Sequence, residues 1–266
     1  MKKKSALSYA FAVGKIKVLE KSLLQAETFD QALRLETTEA LRLLAEAGLY
    51  GEELAKVKDG RQLEKVLADS LSDLKQMLRT LLLDPVLWGY LEIKSLDDAA
   101  KLPRQYTNRF LADYIAHLID MHNIKTFLRL RILNEAQEML DKKIIQEGFI
   151  PKSVFLKYSL VDLTLFLNQL GQVHKHGQII DYSHFLKEAI EKAMNEKSFA
   201  ALEKAQADYM ISVLRGAKTI TFGPEPVLAY FFARVNEINL IRLLILGKMN
   251  GVRDEIIKER ANAVYA

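Results

Sequence analysis

Apolar residues recur every three or four positions along most of this chain, and that spacing most constrains its fold. It places apolar side chains on one face of an α-helix, because a helix repeats about every 3.6 residues. The clearest stripe lies in Leu63–Leu83 and contains Leu63, Val66, Leu67, Leu71, Leu74, Leu78, Leu81 and Leu82. Runs of β-branched residues with strict alternation, which are typical of strands, are missing from the sequence. The pattern therefore predicts an all-α fold of roughly ten helices.

The prolines lie where one apolar stripe ends and the next begins. They are Pro85, Pro103, Pro151, Pro224 and Pro226. Proline suits the first turn of a helix, because the N–H group that it lacks has no intrahelical partner there. No proline interrupts a long stripe, so these residues are predicted to mark helix starts.

Connections between the stripes are short, and none is rich in proline or serine. Asn250–Gly251, for example, supplies a left-handed stop after Leu246 or Lys248, and a last short helix is predicted directly afterwards. With 266 residues, of which 50% are apolar, the chain can bury a sizeable core. We therefore expect one compact helical body over residues 1–266.

Composition excludes several classes of protein. Cysteine is absent, so neither a disulfide framework nor a thiolate site can form. The chain carries 38 basic and 34 acidic residues, and its formal net charge of +4 is below the excess of a dedicated nucleic-acid binder. The most apolar window, Val227–Leu246, contains Arg234, Glu237 and Arg242, each of which costs ~2.5–3.5 kcal/mol at a bilayer centre. That window is predicted to be a buried or half-buried helix rather than a membrane span.

An internal repeat is the second constraint on the fold. Tyr114–Leu128 aligns with Tyr230–Leu244, so that tyrosine matches tyrosine, asparagine matches asparagine and several apolar positions agree. A fainter third copy begins at Tyr9. These matches predict approximate repeats over residues 1–100, 101–215 and 216–266. Repeated helical units are typical of scaffolds that present a concave or axial surface to partners.

Asn123 and Asn239 occupy matching places in the two clear copies, each within an apolar helical face. We interpret both as structural, buried amides that hydrogen-bond across helices and fix their register. A contact with the axis of the fold or with a partner is the alternative. If the two residues are equivalent, Asn→Asp at either position should destabilise the fold by similar amounts, because each change buries a poorly compensated charge.

The segment Lys101–Arg131 is locally basic, since only Asp113 and Asp120 oppose its cations. A solvated helix face is the usual explanation of such a run. A docking patch for acidic partner surfaces is the alternative. In that case the candidate partner-interface residues are Arg109, Lys125, Arg129, Arg131 and, further along the chain, Arg242.

His174 and His176, with Asp181 and His184 nearby, form the most metal-like cluster. Imidazoles two residues apart project to one side of a strand or of a bent loop. The flanking glycines favour an exposed polar loop instead. Phosphate-binding glycine loops and Gly-x-Ser-x-Gly elbows are missing, and no acid pairs with another acid or a histidine at a catalytic spacing. The sequence therefore predicts no catalytic residue, no metal site and no cofactor.

The stretch Gly223–Gly251 resembles the signature region of the family of C (d-type) subunits of A/V-type ATPases. It contains, in order, a glycine, a Glu-Pro pair, a tyrosine-bearing helix, an arginine, and then lysine and glycine. Tyr9–Glu20 is similar to the family's opening helix, although lysines stand where arginines are usual, and Asp120–Arg129 resembles its second repeat. The chain is shorter than typical members, and Ser153–Ala207 shows little of the signature.

This resemblance implies three similar helical subdomains around a pseudo-threefold axis, which together form a funnel. It also implies a non-catalytic central-stalk subunit that links the membrane rotor ring to the central shaft and transmits torque. The partners would then be the proteolipid subunits of the ring and the shaft subunits, with no nucleic acid. Attachment to the membrane would be peripheral, on the cytoplasmic face, through the rotary complex and without insertion into lipid.

Two other classes of protein are compatible with the sequence. A helical-repeat scaffold that binds acidic ligands or RNA would interleave aromatic and basic residues on one face. Arg104–Arg109 around Tyr106 is the nearest approach to such a stripe. A helical hydrolase with a metal ion in the segment of His174 and His176 is the third class, and metal in the purified protein would favour it.

Overall fold

The structure of the protein, a computed structural model, describes residues 5–48, 50–93, 108–134 and 137–266. The chain divides into two compact units. One is built from Met1–Glu92 together with Ile211–Ala266, and the other from Ile93–Met210. In the first unit, helices near the two ends of the chain pack on each other. The single helical body over residues 1–266 and the repeats over 1–100, 101–215 and 216–266 stay predictions.

The described part of the chain is mainly helical, as predicted, with more and shorter helices than expected. Its α-helices are α1 (Ala10–Leu19), α2 (Ala26–Arg34), α3 (Thr37–Ala47), α4 (Gly51–Ala55), α5 (Gly60–Leu81), α6 (Trp88–Leu91), α7 (Arg109–Ile132), α8 (Gln137–Lys143), α9 (Lys152–Tyr158), α10 (Leu163–Leu170), α11 (Tyr182–Glu196), α12 (Ala200–Arg215), α13 (Glu225–Met249) and α14 (Asp254–Arg260). Short 3-10 turns lie at Ala6–Tyr9, Glu20–Ser22, Pro85–Leu87 and Gly216–Thr219. Two short strands, β1 (Val173–Lys175) and β2 (Gln178–Ile180), form the sheet found in the described ranges.

Helix α5 forms because its leucines recur at helical spacing and polar residues define its start. The Asp59 carboxylate accepts a hydrogen bond from the Gln62 amide at 2.9 Å and caps the N-terminus. Leu82 then leaves the helix in an extended conformation. The predicted stripe is confirmed: its members are buried, except Val66 and Leu71, which are half-buried against the same core.

Helix α13 supplies much of the core of the first unit. It packs against α1, α3, α5 and α14. Its first turn contains Pro226, and it ends at Met249, just before Gly251 adopts a left-handed backbone with φ +65°. The predicted proline start and Asn-Gly stop are therefore confirmed. At Gly247 an added Cβ would lie 2.7 Å from the Ile257 side chain, so glycine is what allows α14 to approach this closely.

The other prolines also precede helices where the structure describes them. Pro85 opens the turn Pro85–Leu87, and Asp84 accepts from the amide of Val86 at 3.3 Å. Pro151 directly precedes α9, and Pro224 directly precedes α13. Pro103 lies outside the described residues.

The apolar window Val227–Leu246 falls entirely within α13. Most of its side chains are buried in the protein core, and Arg234 and Glu237 are buried with them. The interpretation of this window as a buried helix is confirmed. Within the described ranges, no helix has both the length and the apolarity needed to cross a membrane.

The second unit is organised around α7. Phe127 of this helix contacts Phe155 of α9 and Phe166 of α10, with ring centroids 5.9 and 4.3 Å apart. All three rings are buried. Aromatic pairs in tilted contact add about 0.5–1.5 kcal/mol beyond the area that they bury. The longest described helices, α7 and α13, thus each contribute the central packing surface of one unit.

The segment around His174 and His176 is a β-hairpin rather than the exposed loop that we expected. β1 and β2 pair antiparallel, with Lys175 opposite Gln178. His176 and Gly177 form the connecting turn, with positive φ angles of 48° and 81°. Two-residue hairpin turns need such left-handed residues, and glycine adopts this conformation without strain. Gly177 therefore marks a tight hairpin turn and not an irregular loop.

Candidate functional site

Two of the predicted interface residues, Lys125 and Arg129, lie one turn apart on α7 and meet at a single acid. Each has a side-chain nitrogen 3.3 Å from Oε1 of Glu203 on α12. The Arg129 guanidinium also lies over the Phe199 ring, 5.1 Å from its centroid. Solvent-exposed ion pairs contribute about 0–1 kcal/mol, so an acid of a partner can replace Glu203 at little cost.

Arg131, another predicted interface residue, supports the backbone of its own unit. Its guanidinium donates to the backbone carbonyls of Tyr158, Ser159 and Val161, at 3.2, 3.3 and 2.6 Å. These carbonyls lie at the end of α9 and just after it, where helices leave such groups without intrahelical partners. Arg131 therefore holds the connection between α9 and α10, and its place in a docking patch stays a prediction.

Arg109 and Arg242 do not join Lys125 and Arg129 in one patch. Arg109 is exposed in the first turn of α7 and has no ion pair among the described residues. Arg242 belongs to the first unit and makes a bidentate pair with Glu64 of α5, at 2.6 and 3.0 Å. Arg109, Lys125 and Arg129 are the predicted interface residues that lie together on α7 and, unlike Arg131, are not shown to bond to backbone carbonyls of the described residues.

Asn123 and Asn239 are not equivalent, which corrects the prediction. Asn123 is fully buried; its side-chain nitrogen donates to the Ile145 carbonyl at 2.7 Å, and its Oδ1 accepts from the Ile145 amide at 3.0 Å. Asn239 is exposed, and its Oδ1 accepts from Arg242 at 2.7 Å. The sequence alignment compared the spacing of residues along the chain. Burial depends instead on which segments pack against each helix, and these segments differ between the two units.

We predict unequal effects of the two Asn→Asp substitutions. Asn123→Asp replaces the donor to the Ile145 carbonyl with an acceptor and buries a charge, so the free energy of unfolding should fall by about 2–4 kcal/mol. Asn239→Asp, the matched control, adds a carboxylate beside Arg242 and should change it by less than about 0.5 kcal/mol. Urea denaturation at pH 7 measures both effects. Similar losses at the two sites would contradict the assignments.

Sequence reasoning missed two acids that organise the fold, Asp120 on α7 and Glu237 on α13. Asp120 is fully buried and accepts three hydrogen bonds. They come from the amides of Phe149 and Ile150, both at 3.0 Å, and from the Tyr182 hydroxyl at 2.8 Å. The carboxylate therefore fastens the loop before α9 to α7. An acid inside an apolar helical stripe was the available signal.

Gly148 makes this contact sterically possible. An added Cβ at this residue would collide with the Asp120 carboxylate. The loop can approach α7 closely enough to donate its amides because the residue before them has no side chain.

A chain of hydrogen bonds continues from Asp120 toward the hairpin. The Tyr182 hydroxyl donates to Asp120, so its oxygen can accept from Nδ1 of His117, 2.7 Å away. Nε2 of His117 then accepts from the Lys175 ammonium at 3.4 Å, and Lys175 pairs with Asp113 at 3.1 Å. These contacts fit a neutral His117 protonated on Nδ1, a tautomer that we assign from its neighbours.

Burial sets the titration of this chain of groups. It raises the pKa of Asp120 to about 6, although the bonds from Ile150, Tyr182 and Phe149 oppose the shift. Burial lowers the pKa of His117 to about 4, and the Lys175 charge lowers it further. Burial also raises the pKa of Tyr182, so its hydroxyl stays protonated and can donate to Asp120. Asp120 and His117 therefore titrate at acidic pH with opposite effects on stability.

We predict that Asp120→Asn changes the dependence of stability on pH. Because the folded-state pKa of Asp120 is raised, its contribution to the free energy of unfolding is fully present below pH 3.8. That contribution is lost as the pH rises through about 6. His117 acts in the opposite sense, since its lowered pKa means that stability is lost as pH falls from 6.5 through about 4. Without Asp120 only the His117 loss remains, so the variant should lose about 1–2 kcal/mol relative to the wild type between pH 7 and pH 4.5.

Urea denaturation at several pH values between these limits measures the difference. Glu138→Gln, which alters an exposed carboxylate in the same unit, is the control and should follow the wild-type profile. Parallel profiles for the wild type and Asp120→Asn would show that Asp120 does not titrate as assigned.

Glu237 has a comparable role in the first unit. It is 4% exposed and accepts hydrogen bonds from the Leu24 amide and the Tyr50 hydroxyl, both at 2.6 Å, and from Arg234 one turn before it. The Arg234 guanidinium lies over the Tyr50 ring, 4.6 Å from its centroid. Burial raises the pKa of Tyr50 and the Glu237 charge raises it further, so the hydroxyl remains a donor. Glu237 thereby fastens the segments around Leu24 and Tyr50 to α13.

The metal-like cluster is dispersed in the structure. Nε2 of His176 lies 2.8 Å from Asp113, and Asp181 caps α11 by accepting from the His184 amide at 3.0 Å. His174 is exposed on β1. In the part of the chain that the structure describes, no three His, Cys, Asp or Glu side chains are arranged to hold a metal ion.

The fold is thus a helical one, organised by buried carboxylates on the two longest described helices, and comparison with known proteins places it in a family. A family profile described as "ATP synthase (C/AC39) subunit" matches residues 90–260. Since the match covers more than half of the sequence, the chain belongs to the ATP synthase (C/AC39) subunit family. The resemblance drawn from Gly223–Gly251 is confirmed.

Three curated relatives agree with this assignment. The chain is 30% identical over 222 residues to the C subunit of the V-type sodium ATPase of Enterococcus hirae, and the match covers 82% of this chain and 65% of that protein. It is 28% identical over 225 residues to the C subunit of the A-type ATP synthase of Pyrococcus abyssi, with coverages of 79% and 58%. For the C subunit of the A-type ATP synthase of Methanocaldococcus jannaschii the identity is 25% over 223 residues, with coverages of 83% and 53%. The chain spans about half to two thirds of the length of these relatives.

Proposed function

We propose that this chain is a non-catalytic central-stalk subunit of a rotary A/V-type ATPase. In this role it joins the membrane rotor ring to the central shaft and transmits torque during coupled ATP synthesis or hydrolysis and ion transport. Membership of the ATP synthase (C/AC39) subunit family over residues 90–260 is the observation that carries the proposal. The relatives named as C subunits of V-type and A-type complexes support it.

Torque transmission requires a body that does not yield under load, and the buried carboxylates support this property. Asp120 and Glu237 each bind a distant segment of chain through charge-assisted hydrogen bonds, which are shorter and stronger than neutral ones. These bonds must break before either long helix can separate from the segment that it holds. The funnel of three similar helical subdomains around a pseudo-threefold axis is the geometry that we propose for the whole body.

The partners in this proposal are the proteolipid subunits of the ring and the subunits of the shaft. The near balance of 38 basic and 34 acidic residues supports protein partners over nucleic acid, since phosphate backbones are bound by a large basic excess. The protein is then peripheral on the cytoplasmic face of the membrane, held through the complex and not by insertion into lipid.

Arg109, Lys125 and Arg129 on α7 are the proposed contacts with acidic groups of the ring or shaft. Arg109 has no ion pair among the described residues, and Lys125 and Arg129 share one exposed acid. Arg242 is a weaker candidate, because its bidentate pair with Glu64 must open before it can bind a partner.

Binding to vesicles that contain the intact rotor ring tests the proposal. The protein should sediment with these vesicles and not with vesicles of lipid alone. Arg109→Glu combined with Arg129→Glu should weaken binding, and more so at low salt, since screening limits such interactions to about 8 Å at physiological ionic strength. Lys187→Glu, which reverses an exposed lysine of the same unit, is the control.

Each outcome decides a separate part of the proposal. Binding that the double substitution leaves unchanged would remove the α7 surface from the interface. Sedimentation with lipid alone would contradict attachment through the complex. Failure to bind either the ring or the isolated shaft at any salt concentration would contradict the proposed function itself.

A further inference from the structure

A half-open groove in the first unit has no part in the function proposed above. It lies between α5 and the segment of α4 and has a volume of about 660 Å³. Ligand sites in proteins commonly measure ~300–1,000 Å³. The groove is therefore large enough to receive several side chains of a partner.

One face of α5 forms the long wall of this groove. The lining positions run from Gln62 to Met77 at intervals of three and four residues. At 1.5 Å per residue this stripe is about 22 Å long. Val66, Leu74 and Met77 make part of it apolar, and Val57 faces the same space from beyond α4. An elongated groove with an apolar stripe fits a helix laid along α5.

Arg234 of α13 also lines the groove. It is 2% exposed, and its Nη1 donates to Glu237. Glu237 therefore neutralises this guanidinium within the first unit.

The charges around the groove favour a basic occupant. Asp69 and Asp73 have no ion pair among the described residues, whereas Lys56 pairs with Glu53 at 3.0 Å. Arg234 is neutralised by Glu237, so Lys65 is the cation of the lining that is left to oppose the two aspartates, and these groups leave one net negative charge. Lysine or arginine side chains on a partner would complement this charge.

We propose that this groove binds a basic amphipathic helix of a partner protein. The apolar stripe of that helix packs on Val66 and Leu74, and its basic side chains pair with Asp69 and Asp73. The inference does not rest on the ring-and-shaft proposal, because it uses the shape and charge of the groove alone.

A synthetic peptide tests the inference on the full chain. The probe is a fluorescently labelled amphipathic helix of about 15 residues, the length of the α5 stripe, with leucines on one face and lysines beside them. One control peptide has the same composition in scrambled order, and another has glutamate in place of lysine. Fluorescence anisotropy should show saturable binding of the probe and at least about tenfold weaker binding of both controls.

Substitutions in the groove make the test specific. Asp69→Lys combined with Asp73→Lys should raise the Kd for the probe by about tenfold or more, and Val66→Glu should do the same by placing a charge in the apolar lining. Glu46→Lys reverses an exposed acid on α3 of the same unit and should leave the Kd within about twofold. Circular dichroism and the urea midpoint establish that each variant is folded.

Equal binding of the scrambled peptide, or a Kd that the groove substitutions leave unchanged, would overturn the proposal. Self-association of the wild type that Asp69→Lys with Asp73→Lys abolishes would assign the groove to a second copy of this chain, and would also overturn it. Loss of peptide binding in a variant that still binds ring vesicles would support the groove as a site separate from the proposed stalk function.

Discussion

A buried carboxylate that captures backbone amides from a distant part of the chain is the interaction on which each unit depends. Glu237 holds the amide of Leu24, and Asp120 holds those of Phe149 and Ile150. A buried charge is costly unless its lone pairs are used, and a buried amide without an acceptor costs about 1–3 kcal/mol. Apolar spacing determines where the helices form, whereas these two acids determine which segments lie against them.

This arrangement separates the structural interior of the protein from the surfaces proposed for partners. The buried carboxylates of Asp120 on α7 and Glu237 on α13 are engaged in holding the chain together. The residues proposed for docking lie at the surface: Arg109, Lys125 and Arg129 on α7, and Asp69 and Asp73 on α5. The proposed stalk function would use both properties, since stiffness transmits force and surface charge selects the partner.

Features that depend on near neighbours could be predicted from the sequence. The α5 stripe, the proline at the start of α13 and the Gly251 stop each follow from residues within a few positions. Features that depend on distant neighbours could not. Asn239 is exposed although its spacing matches that of Asn123, and Glu237 bonds to residues 213 and 187 positions away, which periodicity cannot identify. The β-hairpin of β1 and β2 was missed for a different reason. Its local turn signal, Gly177, was present in the sequence, but we interpreted it as part of an exposed loop.

Amide hydrogen exchange of the intact protein tests the role of the buried carboxylates most directly. Asp120→Ala should speed exchange at Phe149 and Ile150 by about 10–100-fold and leave Leu24 unchanged, since each lost hydrogen bond to a charged group is worth ~1.5–3 kcal/mol. Glu237→Ala should give the reverse pattern, with faster exchange at Leu24 and unchanged exchange at the other two amides. A uniform increase along the whole chain in either variant, or unchanged protection at the amides that the missing acid binds, would contradict this account.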